Sequence, residues 1–150
     1  MCLGHQAICA AFGATVTYAK RLMHGKQSDA RLDRGCPLFA GLPEVVPVAR
    51  YHSLAADPDT LPDCLKVTAR TDEGEIMAVQ HRDHPTFGVQ FHPESILTPD
   101  GRQMLSPLQD AMHREAREVW LLECIPAVAS GAMTARECWE KVMSLSPFGE

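Results

Sequence analysis

The sequence has no excess of basic residues, no C-x-x-C pair and no unbroken apolar run of membrane-spanning length, and each absence removes a class of function. Fourteen Lys and Arg stand against nineteen Asp and Glu, a net charge of −5. The chain therefore lacks the basic face from which a nucleic-acid binder draws its affinity, and it offers no polybasic segment to an anionic membrane. Residues 1–19 carry no Lys, Arg, Asp or Glu, but they include His5, Gln6, two glycines and two threonines, and Lys20 and Arg21 follow the run instead of preceding it. That charge order is the reverse of an export signal. A second apolar stretch, residues 119–135, is broken by Glu123 and Pro126 and is too polar to span a bilayer. The six cysteines, at 2, 9, 36, 64, 124 and 138, are read as reduced thiols of a cytoplasmic protein, because a chain of this length buries a core without disulfide staples. No internal repeat is evident.

What is present is close to the globular average, with 45% hydrophobic and 22% charged residues in 150. This excludes wholesale disorder and fits one ordinary domain. His5–Gly13 has helical spacing, with Ile8 and Phe12 four apart and Gly13 placed to end it. Thr15–Ala19 reads as a short strand, and 21–41 as loops and short strands punctuated by Gly25, Gly35, Pro37 and Gly41. Val45–Ser53 reads as a strand with Pro47 near an edge. Leu65–Thr71 and Glu75–Arg82 flank Asp72-Glu73-Gly74, a three-residue hairpin turn. Phe87–Phe91 is an apolar strand running into His92-Pro93-Glu94. Beyond it, Ser106-Pro107-Leu108-Gln109 and Thr134-Ala135-Arg136-Glu137 fit the capping box, so residues 106–150 are expected to form a helical hairpin.

Two segments can carry chemistry. Cys2 lies just ahead of a glycine-containing turn and a helix, where the helix dipole and free N–H groups favour the reactive thiolate. The N–H of Leu3 would face an oxyanion forming beside that sulfur. At the end of the apolar strand, His92 and Glu94 are two apart and can project to one side of an extended chain. A carboxylate placed there orients an imidazole. Each segment also has a plainer reading, a turn before a helix and a surface loop respectively. Together they describe a thiol–imidazole site. His81, Asp83 and His84 fit either a metal site or, more commonly, a polar loop. Removal of Met1 would leave Cys2 at the amino terminus, where its own amine could serve as base without His92 or Glu94.

The stretch CLGHQAICAAFG resembles the nucleophile segment of class I (triad-type) glutamine amidotransferases, and GVQFHPESILTPDGRQML resembles the same family's His–Glu segment. RLMHGKQSD and RYHSL are similar to the intervening blocks of its chorismate-using branch, the glutaminase subunit (component II) of anthranilate synthase and of aminodeoxychorismate synthase. The four blocks occur in order and cover residues 1–105. The resemblance implies an α/β, flavodoxin-like fold, with 1–105 as the catalytic half and 106–150 as a helical tail. It implies Cys2 as nucleophile toward the glutamine carboxamide, His92 as proton shuttle and Glu94 as its orienting partner. It implies Leu3 as an oxyanion donor, Gln6 as a substrate contact, and Ser53 and Leu54 against the amino-acid end of L-glutamine. Ammonia would pass to a chorismate-using synthase subunit, with Met23–Lys26 and Tyr51–Ser53 toward that partner. The resemblance implies no metal and no organic cofactor.

The family pattern also places strands and a glycine-rich loop, with a second oxyanion donor, ahead of the nucleophile. The chain is thus expected to be an N-terminally truncated half whose missing donor costs on the order of a hundredfold or more in rate. A catalytically inactive remnant that only binds a partner is the alternative. Past Leu105 the resemblance fades, and Pro107 is expected to interrupt the closing helix. SGAMTARECWEKVMS is faintly similar to the opening helices of anthranilate phosphoribosyltransferase, and a dimerising or partner-facing hairpin is the other reading of that tail. Residues 106–150 hold four basic and seven acidic residues, a net of −3.

Overall fold

The computed structural model describes residues 1–111, 130–134, 137 and 141. The chain divides into two compact units, Met1–Leu105 and Ser106–Glu150. The first contains helix α1 (Leu3–Ala11) and strands β1 (Val16–Leu32), β2 (Val45–Ala56), β3 (Leu65–Thr71), β4 (Ile76–His81) and β5 (Phe87–Val89). Helix α2 (Gly101–Ala111) begins within it. The strands form one sheet in the order β2-β1-β3-β4-β5, and every pairing is antiparallel. Among the described residues there is accordingly no parallel pair of the flavodoxin-like kind. The α/β composition holds.

Two buried clusters hold the unit together. One gathers Leu38, Phe39 and Leu42 from the segment after β1, Val46 and Val48 from β2, Met77 from β4, Phe91, and Met104 of α2. The other places Cys9 of α1 with Ala56, Leu65, Ile76 and Val79. β4 contributes to both, and five of its six residues are buried, as expected for a strand covered on both faces.

The long β1 differs from the short strand and loops expected over this region. Its residues are mostly exposed, because it leaves the core as a two-stranded ribbon with β2, so no inside–outside alternation marks it. The ribbon is bulged between Tyr18 and Met23 and again between His24 and Lys26. Gly25 sits at the second bulge with φ 64°, the backbone state that favours glycine. The Asp72-Glu73-Gly74 hairpin forms as expected: Gly74 has φ 81° and its N–H donates to the Thr71 carbonyl at 2.9 Å. Ser106 and Pro107, by contrast, lie inside α2. Ser106 is therefore not its cap, and Pro107 does not end it, since proline withholds one helical hydrogen bond without forbidding the turns around it. The second capping box does form. Glu137 N–H donates to Thr134 Oγ1 at 3.2 Å and Thr134 N–H to Glu137 Oε2 at 2.8 Å, which holds the Glu137 carboxyl below its usual range. The rest of the expected hairpin, with Cys124 and Cys138, lies outside the described residues.

α1 seats on the sheet through His5 and Gly88. His5 is fully buried, and a Cβ at Gly88 would stand 2.9 Å from His5 Nδ1 and 3.3 Å from both His5 Cα and Val79 Cγ2. Only glycine lets the helix lie this close to β5. Gly88→Ala should therefore destabilise the unit by about 1–3 kcal/mol, measured by urea unfolding. Burial pushes the His5 imidazole down to about 4, so the folded chain keeps it neutral where the unfolded chain protonates near 6.5. Unfolded protein then binds the extra proton, and the stability present above pH 6.5 falls as pH drops toward 4, by roughly 3 kcal/mol at most. His5→Asn should flatten that part of the unfolding free-energy profile; an unchanged slope contradicts this.

Candidate active site

Cys2 precedes the first residue of α1 with φ 45° and ψ −106°, the one non-glycine residue at positive φ among those described. Such a backbone is costly and persists only where surrounding contacts over-determine it. Those contacts are present. Cys2 N–H donates to the Val89 carbonyl at 2.8 Å, and the Cys2 carbonyl accepts from Gln6 N–H at 3.1 Å. The turn lifts a half-buried sulfur at the helix N-terminus, the geometry expected of a nucleophile elbow. Leu3, exposed, begins α1, where N–H groups lack partners within the helix.

His92 and Glu94 come together as the sequence suggests. His92 Nδ1–H donates to Glu94 Oε1 at 2.7 Å, which leaves Nε2 as the free ring nitrogen. That atom is buried and has no hydrogen-bond partner. Burial works against the Glu94 charge, but the bonds from His92 and from its own backbone N–H outweigh it, and the carboxyl stays below its usual range. The turn is pinned to the centre of β2. His92 N–H donates to the Ala49 carbonyl at 3.0 Å, while Thr98 Oγ1 accepts from Ala49 N–H at 2.9 Å and donates to the His92 carbonyl at 2.8 Å.

The two halves meet at Tyr51. Its ring stands edge-on to the His92 ring with centroids 5.2 Å apart, and its carbonyl lies 4.0 Å from Cys2 Sγ. Gln6 is buried, and its Nε2 donates to the Leu54 carbonyl at 3.0 Å and to Gln90 Oε1 at 3.1 Å. Leu54 thus takes part through its backbone, and Ser53 is exposed beside it next to the first bulge of the ribbon.

Behind these residues lies a buried ion pair. Arg50 and Glu75 are each 4% exposed at the side chain and in direct contact. Arg50 Nε also donates to His52 Nε2 at 3.1 Å. A guanidinium has no acceptor, so His52 Nε2 must be unprotonated. Its proton sits on Nδ1, which donates to the Leu54 carbonyl at 2.8 Å. Burial, with Arg50 alongside, holds His52 below its usual pKa, in agreement with that tautomer. Gln90, Thr98 and the Arg50–Glu75 pair were not among the residues expected from the sequence, and Tyr51 was expected only as part of a partner-facing segment. Only RYHSL and GVQFHPESILT, as blocks, pointed near them.

His81, Asp83 and His84 do not make a metal centre. His81 Nδ1 accepts from the N–H groups of Asp83 and His84, each at 3.1 Å, so the imidazole stitches a turn. No cluster of three or more His, Cys, Asp or Glu suited to a metal occurs among the described residues. None of their helices is long and apolar enough to cross a membrane.

The His92–Glu94 turn also depends on the start of α2. A Cβ on Gly101 would overlap the Pro93 carbonyl oxygen and lie 2.7 Å from its carbon. Gly101→Ala should displace Pro93 and with it His92. Thr98→Val should cost about 1–2 kcal/mol for the two bonds lost. Denaturant midpoints check both substitutions.

The family profile "Glutamine amidotransferase class-I" matches residues 1–109. The aminodeoxychorismate/anthranilate synthase component 2 of Bacillus subtilis (strain 168) is 52% identical over 115 residues, covering 77% of this chain and 59% of that protein. The anthranilate synthase component 2 of Mycobacterium tuberculosis (strain H37Rv) is 54% identical over 106 residues, covering 71% and 45% respectively. Among solved structures, a putative GMP synthase protein from Thermoplasma acidophilum superposes with a TM-score of 0.68 at 28% identity, covering 78% of this chain and 58% of that one. The chain thus spans 59% or less of the length of each of these relatives. A match over more than two thirds of the sequence, running through both the cysteine elbow and the His–Glu turn, establishes that the chain belongs to the class I glutamine amidotransferase family.

Proposed function

We propose that residues 1–105 are the catalytic half of a glutaminase that releases ammonia from L-glutamine for a chorismate-using synthase subunit, making anthranilate or 4-amino-4-deoxychorismate in the cytoplasm. The observation that carries this reading is the elbow at Cys2 together with the His92–Glu94 pair, whose buried Nε2 has no partner. In this reading the Cys2 thiolate attacks the side-chain carboxamide carbon. The S–C bond forms, the carbonyl electrons move to oxygen, and the Leu3 N–H supports that oxyanion. His92 Nε2, which has taken the Cys2 thiol proton, delivers it to the departing nitrogen, the C–N bond breaks, and a γ-glutamyl thioester remains. His92 then takes a proton from water, whose oxygen displaces the sulfur and yields glutamate. Glu94 holds the ring and supports its charged form. Gln6, Ser53 and Leu54 line the approach for the amino-acid end. The mechanism requires no metal or organic cofactor.

A partner-binding role without turnover is the second reading. It is favoured by large apolar side chains left in solvent: Leu3 at 76%, Tyr18 at 85% and Leu22 at 71% exposure. In either reading these side chains would face the synthase subunit.

Labelling with 6-diazo-5-oxo-L-norleucine, an electrophile shaped like glutamine, followed by intact-mass analysis separates the two. On the catalytic reading Cys2 is modified selectively, L-glutamine protects it, and Cys2→Ser abolishes the adduct. Cys9 and Cys36 should stay unlabelled because both are buried, and burial pushes the Cys9 thiol up to about 11. Slow, unselective labelling indifferent to glutamine would leave the partner-binding reading.

A further inference from the structure

Gln90 is fully buried and lies one residue beyond β5, where its N–H donates to the Met77 carbonyl at 2.8 Å. Its carboxamide touches both Gln6 and the sulfur of Cys2. The distances are 3.1 Å from Gln90 Oε1 to Gln6 Nε2 and 3.7 Å from Gln90 Nε2 to Cys2 Sγ.

The orientation of that amide follows from its neighbours. The Leu54 carbonyl can only accept, so Gln6 must turn its NH₂ toward it. The same NH₂ faces Gln90, which must therefore present its oxygen to Gln6 and its own NH₂ to the sulfur. The Leu54 carbonyl is itself held by the Nδ1–H of His52, whose tautomer is set by Arg50. The Leu54 carbonyl thus accepts from both His52 and Gln6, and from Gln6 the donors run through Gln90 to end on Sγ.

We propose that Gln90 is a catalytic residue of this site, the fixed hydrogen-bond donor that holds the Cys2 sulfur as acceptor and thereby favours its thiolate. The proposal rests on the reading of Cys2 as nucleophile given above. A donor aimed at a sulfur stabilises the anion more than the neutral thiol, because hydrogen bonds to charged groups are the stronger ones. Being buried and tied to Gln6, this donor needs no reorganisation when the thiol loses its proton. The same amide links the nucleophile to a side chain expected to meet the substrate, so occupancy of the pocket and readiness of the sulfur are joined in one hydrogen-bonded group.

Two isosteric substitutions test it. Gln90→Glu keeps the acceptor toward Gln6 and replaces the donor toward Sγ by a carboxylate oxygen. Gln90→Met keeps the volume and removes both polar contacts. Alkylation of Cys2 by iodoacetamide at pH 7.5 is followed by peptide mass spectrometry, with half-buried Cys64 as the internal reference and buried Cys9 and Cys36 as reporters of unfolding. The expected result is a fall of about tenfold or more in the Cys2 rate in both variants, with the Cys64 rate unchanged. If the carboxylate unfolds the chain and exposes Cys9 and Cys36, Gln90→Met alone decides. A wild-type Cys2 rate in a folded variant overturns the role of Gln90. Loss of glutamine-protected labelling in the unsubstituted chain would instead count against the reading of Cys2.

Discussion

The site depends on the seating of one short helix on one strand edge. Cys2 N–H bonds to the Val89 carbonyl, and His5 lies against the backbone of Gly88. These contacts set where α1 begins and hold Cys2 in a backbone state that costs of order 1–3 kcal/mol. The strand that receives the helix runs on through Gln90 and Phe91 to His92. Cys2 and His92 are therefore placed by a single junction, although ninety residues separate them in sequence. The other face of the junction is Phe91, fully buried among Phe39, Val48 and Met104, so the position of His92 is tied to the main core and not to a surface loop.

Polar groups complete what packing begins. Arg50 and Glu75 neutralise one another out of contact with water, a pairing in which loss of either partner strands a buried charge. Their role in the site is directional. The guanidinium sets the His52 tautomer, and the Leu54 carbonyl sets Gln6 and, through it, Gln90. A second set does the same for His92, with Thr98 bridging Ala49 and the His92 carbonyl. The central residues of β2 thus serve both sets, which explains why an edge strand carries so many buried positions.

Local signals in the sequence reached the candidate groups and stopped short of their supports. Cys2 before a helix and His92 two residues from Glu94 are short-range patterns, and the structure keeps both. The hairpin at Asp72-Glu73-Gly74 was legible for the same reason. β1 was not, because an exposed, twice-bulged ribbon carries no alternation of apolar and polar residues. Gln90 reads as the polar member of FGVQF, and nothing nearby in the chain says that it is wholly buried; α1 and β4 decide that. Nothing local to Arg50 shows that Glu75, twenty-five residues away, is brought beside it. Ser106 met the local rule for a cap and was overruled because α2 starts earlier, at Gly101 against Pro93.

The central claim is that this chain brings a cysteine elbow and a His–Glu pair into one site. Nitrogen-15 spectra of the histidine side chains, recorded before and after alkylation of Cys2 by iodoacetamide, test it most directly. The account predicts that His92 carries its proton on Nδ1, with Nε2 unprotonated, and that its Nε2 resonance moves when the Cys2 sulfur is blocked. A His92 signal in the opposite tautomer, or one indifferent to alkylation, would contradict it.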